Sequence, residues 1–290
     1  MQHILENDQL TVTLATHGAE IQSIRRPATG QEYIWTADKT VWARHAPVLF
    51  PIVGKLRNDQ YQVEDTTYRM TQHGFARDQD FKVIEHNSDS ITFGLTAASE
   101  TMGQYPFNFT LDVRYQLVDN RVDTTYQVVN HDRGAMPFSI GAHPGFLCPK
   151  HVNGQEERYY LRFEQEETLV RHLLRDGLRT GETQPVMEDS RELALSPALF
   201  EDDALVFTNV ASDSVSIVPQ STGQRMVTVH FAGFPYLGVW QKVGADFYCI
   251  EPWYGLADRS DTSGDFTSKE GMRMLPSEGT FEATFGMTFY

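Results

Sequence analysis

The sequence predicts an all-β protein, a large antiparallel β-sandwich with few short helices, and three observations carry the prediction. Apolar and polar residues alternate with a period near two in many short runs. Gly, Pro, Asn and Asp fall between these runs at fairly even spacing, and no stretch of twelve or more residues shows a helical apolar stripe.

The runs can be justified in order. Leu10 to Leu14, Phe81 to Ile84 and Ile91 to Leu95 alternate as half-buried strands do. Thr110 to Leu117 and Val122 to Val129 form the clearest hairpin, joined through Asp119-Asn120, whose side chains favour turns. Further strands are expected at Ser214 to Val218, Met226 to Phe231, Tyr236 to Trp240, Phe247 to Ile250 and Thr280 to Phe289. Ser196 to Phe200, with its Ser-Pro start, suits a single helical turn. No linker, composition shift or internal repeat divides the chain, so residues 1–290 are expected to form one domain.

The formal net charge is −15 and no basic run occurs, which argues against nucleic acid or an anionic membrane surface as partner. The stretch Met1 to Val12 carries Glu6 and Asp8 and lacks the pattern of a secretory signal. The longest apolar run, Ala46 to Gly54, is far shorter than the about 20 residues a membrane helix needs. A cytoplasmic location is therefore expected. Cys148 and Cys249 show no CxxC or zinc spacing and read as packing thiols.

Three segments break the strand pattern with His, Gly, Pro and aromatic residues: Gln72 to Arg77, Ser139 to Phe146 and Ile250 to Gly255. In an extended run Phe247, Cys249 and Glu251 share one face, so Glu251 ends an apolar strand beside Pro252, which is expected to stop the ladder. Burial there would raise its pKa toward that of a working base; an exposed strand-end carboxylate is the plain alternative. His143, between Gly141 and Gly145, suits either a catalytic imidazole or a hydrogen-bonded structural one. His73, Phe75 and Arg77 would line one face if extended. There is no HExxH, nucleophile elbow, phosphate loop or dinucleotide fingerprint. A metal site on His73 and His143 has no carboxylate or third His at ligand spacing, and Cys249 has no positive neighbour to activate it.

Taken together, "APVLFPIVGKLRND" from Ala46, "HGFAR" from His73, "MPFSIGAHPGF" from Met136, "CIEPWYG" from Cys249 and "KEGMRMLPSEGTFEATF" from Lys269 resemble the aldose 1-epimerase, or galactose mutarotase-like, family. The "HGFAR" and "GAHPGF" pair most resembles a bacterial branch near the hexose-6-phosphate epimerases. The resemblance implies a β-sandwich that binds a hexose and interconverts its α and β anomers without metal or cofactor. It casts Glu251 as general base, His143 as general acid and His73 as a second histidine near the ring oxygen. It also places Arg77 in the same pocket and Asp203, with Asp202 as its rival, on a sugar hydroxyl. Alternation would send Asp202 and Asp203 to opposite faces. Where galactose mutarotases carry Gly-Arg and Asn-Arg, this chain has Gly54-Lys55-Leu56-Arg57-Asn58, so Arg57 is the candidate for the sugar-binding arginine, with Lys55 as its rival.

Trp240, Phe146 and Trp253 are candidates to stack on the sugar, with core packing as the alternative. A phosphorylated hexose would call for at least two of Arg44, Lys55, Arg57 and Arg77 in the cleft. The expected partner is a small hexose or hexose phosphate, and the expected assembly is a monomer or homodimer. A carbohydrate-binding protein without turnover is the alternative from another class.

Overall fold

The computed structural model describes residues 1–290. It is 52% strand, and its main element is a 15-stranded antiparallel sheet. One arc of that sheet runs Lys82–His86, Ser90–Thr96, Phe109–Val118 and Arg121–Asn130. The other runs from Val227–His230 through Ser214–Pro219, Tyr159–Arg175, Leu205–Phe207, Tyr236–Trp240 and Phe247–Tyr254 to Ile140–Ala142 and Val48–Leu49. Thr280–Phe289 joins the two arcs, pairing with Arg121–Asn130 on one side and Val227–His230 on the other. A separate three-stranded sheet, Gln2–Glu6, Thr11–Ala15 and Ile21–Arg25, adds its apolar face to the same core.

The alternation seen in the sequence is realised most cleanly in the central hairpin. Along Phe109–Val118 and Arg121–Asn130 every second residue is buried, and the strands run in unbroken register with Asp119 at φ 50° in the turn. That period of two turns one full face inward, where Leu111, Val113 and Tyr115 meet Val122, Tyr126 and Val128. The main core of 63 buried side chains extends from Leu5 to Phe289, and two smaller clusters, one with Trp253 and one with Phe247 and Cys249, lie apart from it. No helix is long and apolar enough to cross a membrane.

Two departures shape the site. The longest strands, Tyr159–Arg175 and Leu178–Ala194, form a hairpin that the sequence pattern does not reveal. Its strands carry many charged residues and its pairing is interrupted by several register shifts, so alternation is broken where it would be read. Pro252 does not stop its ladder either. Phe247–Tyr254 continues past it, with Leu237 opposite Pro252 and Tyr236 opposite Trp253. The Ser-Pro start at Ser196 does give a single turn, the 3-10 segment Pro197–Phe200.

Candidate active site

Glu251 lies in the middle of Phe247–Tyr254, on the face it shares with Phe247 and Cys249, and only 1% of its surface is exposed. The short strand Gly145–Leu147 pairs with this one, Gly145 opposite Cys249. Ile140–Ala142 pairs with it farther along, Gly141 opposite Trp253. His143, between these two pairings, is thereby held over the carboxylate, its Nε2 3.2 Å from Glu251 Oε2.

That contact lacks hydrogen-bond geometry. Both Glu251 oxygens, His143 Nδ1 and Trp253 Nε1 are buried with no partner. Buried polar atoms are normally satisfied, so this concentration of orphans marks a place where a polar ligand belongs. The three residues line a cavity of about 340 Å³ shared with Trp42, His73, Arg77, Arg179, Asp203 and Trp240. The size suits a small-molecule site.

Burial pushes the Glu251 carboxyl well above the ordinary range, and the charge of Asp203 pushes it further; the nearby Trp253 indole opposes them. Burial also lowers His143 to about 3, with Arg77 and Arg44 acting the same way and the histidine's own backbone against. Both shifts act in the direction that favours the neutral form of the group concerned.

His73 comes from a tight turn at φ 67°, followed by Gly74 at φ 73°. A Cβ on Gly74 would lie 2.2 Å from the Phe50 carbonyl oxygen, so only glycine permits this approach. The Gly54 N–H donates to His73 Nδ1 at 3.1 Å, which places the proton of the neutral ring on Nε2. Burial, His143, Arg77 and Arg44 all hold the His73 pKa well below its ordinary value. Arg77 follows in the 3-10 turn Ala76–Asp78, so His73, Phe75 and Arg77 are not the extended face expected. His73 and Arg77 still reach the cavity, while Phe75 packs into the core.

Arg77 donates from Nη2 to the Gln72 carbonyl, but its Nε is buried without a partner and stands 3.8 Å from Asp78. Burial and the adjacent Arg44 lower its pKa to about 10. Asp203 lines the cavity from a turn at φ 79°, whereas Asp202 turns away to Arg171 at 3.3 Å. The choice between the two aspartates is thus made by a turn, not by strand alternation.

Two expected residues lie elsewhere. Phe146, opposite Tyr248 in the ladder, points away from the Gly145–Cys249 side and is fully buried in the main core. Arg57 sits in a turn where Asn58 and Asp59 adopt positive φ, and its guanidinium donates to the Thr262 carbonyl outside the cavity. Lys55 donates to the Asp176 carbonyl and Arg44 pairs with Asp78 at 2.8 Å. Of the four cations considered for the cleft, Arg77 alone lines it, so the expectation of at least two from that set is not met.

The second guanidinium of the cavity is Arg179, which sequence reasoning missed. It lies just past the turn of the long hairpin, is 4% exposed, and donates to the Ala257 carbonyl and to Glu270, both at 2.9 Å. The neighbouring Lys269–Asp258 ion pair, 3.0 Å and equally buried, ties down the same corner. Asp176-Gly177 was the available turn signal, but nothing local says that Arg179 faces a pocket. Trp42 was also missed. Its ring lies 5.0 Å from that of His143 and stacks on Phe247 at 5.2 Å. Trp240 and Trp253 line the cavity as candidates for stacking, and the Trp253 ring packs so closely on Gly238 that a Cβ there would come within 2.5 Å of it.

His143, Cys249 and Glu251 each place one metal-ligand atom within 4.8 Å of the others. The fold thus supplies the carboxylate that no spacing in the sequence provides.

The aldose 1-epimerase family model matches residues 1–271. The chain is 35% identical over 263 residues to the chromosomal LacX protein of Lactococcus lactis subsp. lactis, covering 87% of each. The solved structure of a galactose mutarotase related enzyme from Lactobacillus acidophilus superposes with a TM-score of 0.95 at 39% identity, covering 100% of this chain and 97% of that one. A galactose mutarotase-like protein from Lactobacillus casei ATCC 334 gives 0.94 at 32% identity, with both chains fully covered. The matched span, the relatives and the shared fold agree, and the chain belongs to the aldose 1-epimerase family of isomerases.

Proposed function

We propose that the protein interconverts the α and β anomers of a hexose, with Glu251 as base and His143 as acid. The observation that carries this is the 3.2 Å pair in which both Glu251 oxygens and His143 Nδ1 are buried without hydrogen bonds. Burial favours the neutral form of both groups, so the pair starts with one transferable proton, on Glu251. Sugar hydroxyls donating to the two Glu251 oxygens would stabilise its carboxylate form and send that proton to His143. The carboxylate then takes the proton of the C1 hydroxyl while His143 protonates the ring oxygen, and the C1–ring oxygen bond breaks to give the open-chain aldehyde. This returns the pair to its neutral state. Rotation about C1–C2 and the reverse transfers close the ring on its other face.

The remaining residues bind. His73 offers Nε2–H, Asp203 accepts a hydroxyl, Arg77 and Arg179 supply guanidinium donors, and Trp42, Trp240 and Trp253 offer rings. Likeness to two solved structures described as a galactose mutarotase related enzyme and a galactose mutarotase-like protein supports a hexose substrate. Anomer exchange measured by NMR on the wild type and Glu251→Gln tests the proposal. Equal rates in the two would overturn it.

One observation favours a second reading, a hexose 6-phosphate. The Arg77 guanidinium faces the cavity with a buried, unpartnered Nε and no carboxylate closer than 3.8 Å. A phosphate would supply the missing counter-charge. Comparing glucose, galactose and their 6-phosphates separates the readings: a phosphate preference must disappear in Arg77→Gln.

A further inference from the structure

We propose that a binding site for a borderline-soft divalent ion such as Zn²⁺ lies between the cavity and the buried Cys249 beneath it, formed by His143 Nε2, Cys249 Sγ and the Glu251 carboxylate, and that its occupancy switches the enzyme off. The inhibition rests on the catalytic roles proposed above for Glu251 and His143; the binding does not.

The geometry comes from the strand pairing. Cys249 and Glu251 are two residues apart on one face of Phe247–Tyr254, and His143 is delivered beside them by the pairing of Gly145 with Cys249. Their ligand atoms lie within 4.8 Å of one another, and the imidazole–carboxylate distance is 3.2 Å. Bond lengths of about 2.3 Å to sulfur and about 2.0 Å to nitrogen or oxygen put the ligand atoms of a tetrahedral ion about 3.3–3.6 Å apart. Closing the site therefore needs side-chain adjustments on the order of 1 Å, with no change of strand register.

The donor set fits the ion class. A thiolate with an imidazole selects Zn²⁺ or Co²⁺ over Mg²⁺ and Ca²⁺, which demand oxygen ligands. Glu251 is 1% exposed and neither of its oxygens has a partner, so the ion would satisfy a group that the protein leaves unsatisfied. Binding releases the thiol proton and the Glu251 proton to solvent, leaving two ligand charges to balance the ion's two. His143 Nδ1 has no acceptor, so the outer bond that usually strengthens a histidine ligand is missing and micromolar affinity is expected. Occupancy removes base and acid together.

The test uses the full chain stripped with a chelator, Co²⁺ and Zn²⁺ as probes, and the variants Cys249→Ser and Cys249→Ala. The expected results are a thiolate-to-Co²⁺ charge-transfer band in the wild type that is absent from both variants, and loss of anomer exchange at micromolar Zn²⁺ that chelator reverses. Without metal the variants should exchange anomers as the wild type does, and they should need on the order of 100-fold more Zn²⁺ for inhibition. No charge-transfer band, or unchanged Zn²⁺ sensitivity in both variants, would overturn the site. A band in a wild type that shows no anomer exchange would sink the epimerase reading and leave the metal site standing.

Discussion

His143 Nε2 and Glu251 Oε2 stand 3.2 Å apart, yet neither oxygen of the carboxylate is hydrogen-bonded. A structural ion pair would close that contact; a pair that waits for hydroxyl groups leaves it open. Glu251→Gln and His143→Asn should each lower kcat by about 10²–10⁴-fold. Because the two act on one proton, the double variant should be little worse than the poorer single one. Anomer exchange by NMR at saturating sugar checks both expectations.

Binding residues should behave differently from the pair. Asp203→Ala and Arg179→Gln are expected to raise KM about 10–100-fold with a much smaller change in kcat, the loss of one hydrogen bond to a charged group. Arg57→Ala should leave KM unchanged, because its guanidinium is spent on the Thr262 carbonyl outside the cavity. Steady-state kinetics with one sugar across the three variants reads out all of this.

The histidines also set a pH dependence of stability. The His143 pKa falls from 6.5 to about 3 on folding, and that of His73 is lowered well below 6.5. Their neutral burial contributes stability that is present above the unfolded value of 6.5 and lost as pH falls; for His143 the loss spans 6.5 to about 3. Glu251 has a raised pKa and works in the opposite sense, its contribution being lost as pH rises through the folded value. The urea midpoint of the wild type should therefore fall between pH 7 and pH 4 more steeply than that of His143→Gln.

Gly74→Ala should destabilise the fold on the order of 3 kcal/mol and displace His73 with it, since the new methyl meets the Phe50 carbonyl oxygen at 2.2 Å in a left-handed backbone. Thermal melting measures the first effect. A rise in KM in the folded fraction measures the second.

Much of the fold was legible because period-two alternation is local. The hairpin of Phe109–Val118 and Arg121–Asn130 could be read to within a residue or two. The Tyr159–Arg175 and Leu178–Ala194 hairpin could not, because its bulges shift the phase and its charged residues face solvent. Strand alternation did place Glu251 with Phe247 and Cys249, but Pro252 misled, since a proline at this position does not end the pairing. Phe146 and Arg57 failed for the same physical reason. Their neighbours in sequence lie at the site, yet the direction of a side chain is decided by the strand or turn it sits in. Arg179 reaches the cavity only through contacts with Ala257 and Glu270, about 80–90 positions away, which no local pattern encodes.

The strand Thr280–Phe289, which joins the two arcs of the large sheet, has a consequence for biogenesis. While a ribosome is still short of residue 280, the nascent chain can pair the strands on either side but cannot join the two arcs into one sheet. Arg121–Asn130 and Val227–His230 then remain as two open edges, each with buried-type residues such as Tyr126, Val128, Val227 and Val229 in alternation. Open, apolar edges invite pairing with other chains. Closure of the large sheet therefore waits for this one strand, and until it pairs the two edges are the places where the chain is most open to wrong partners.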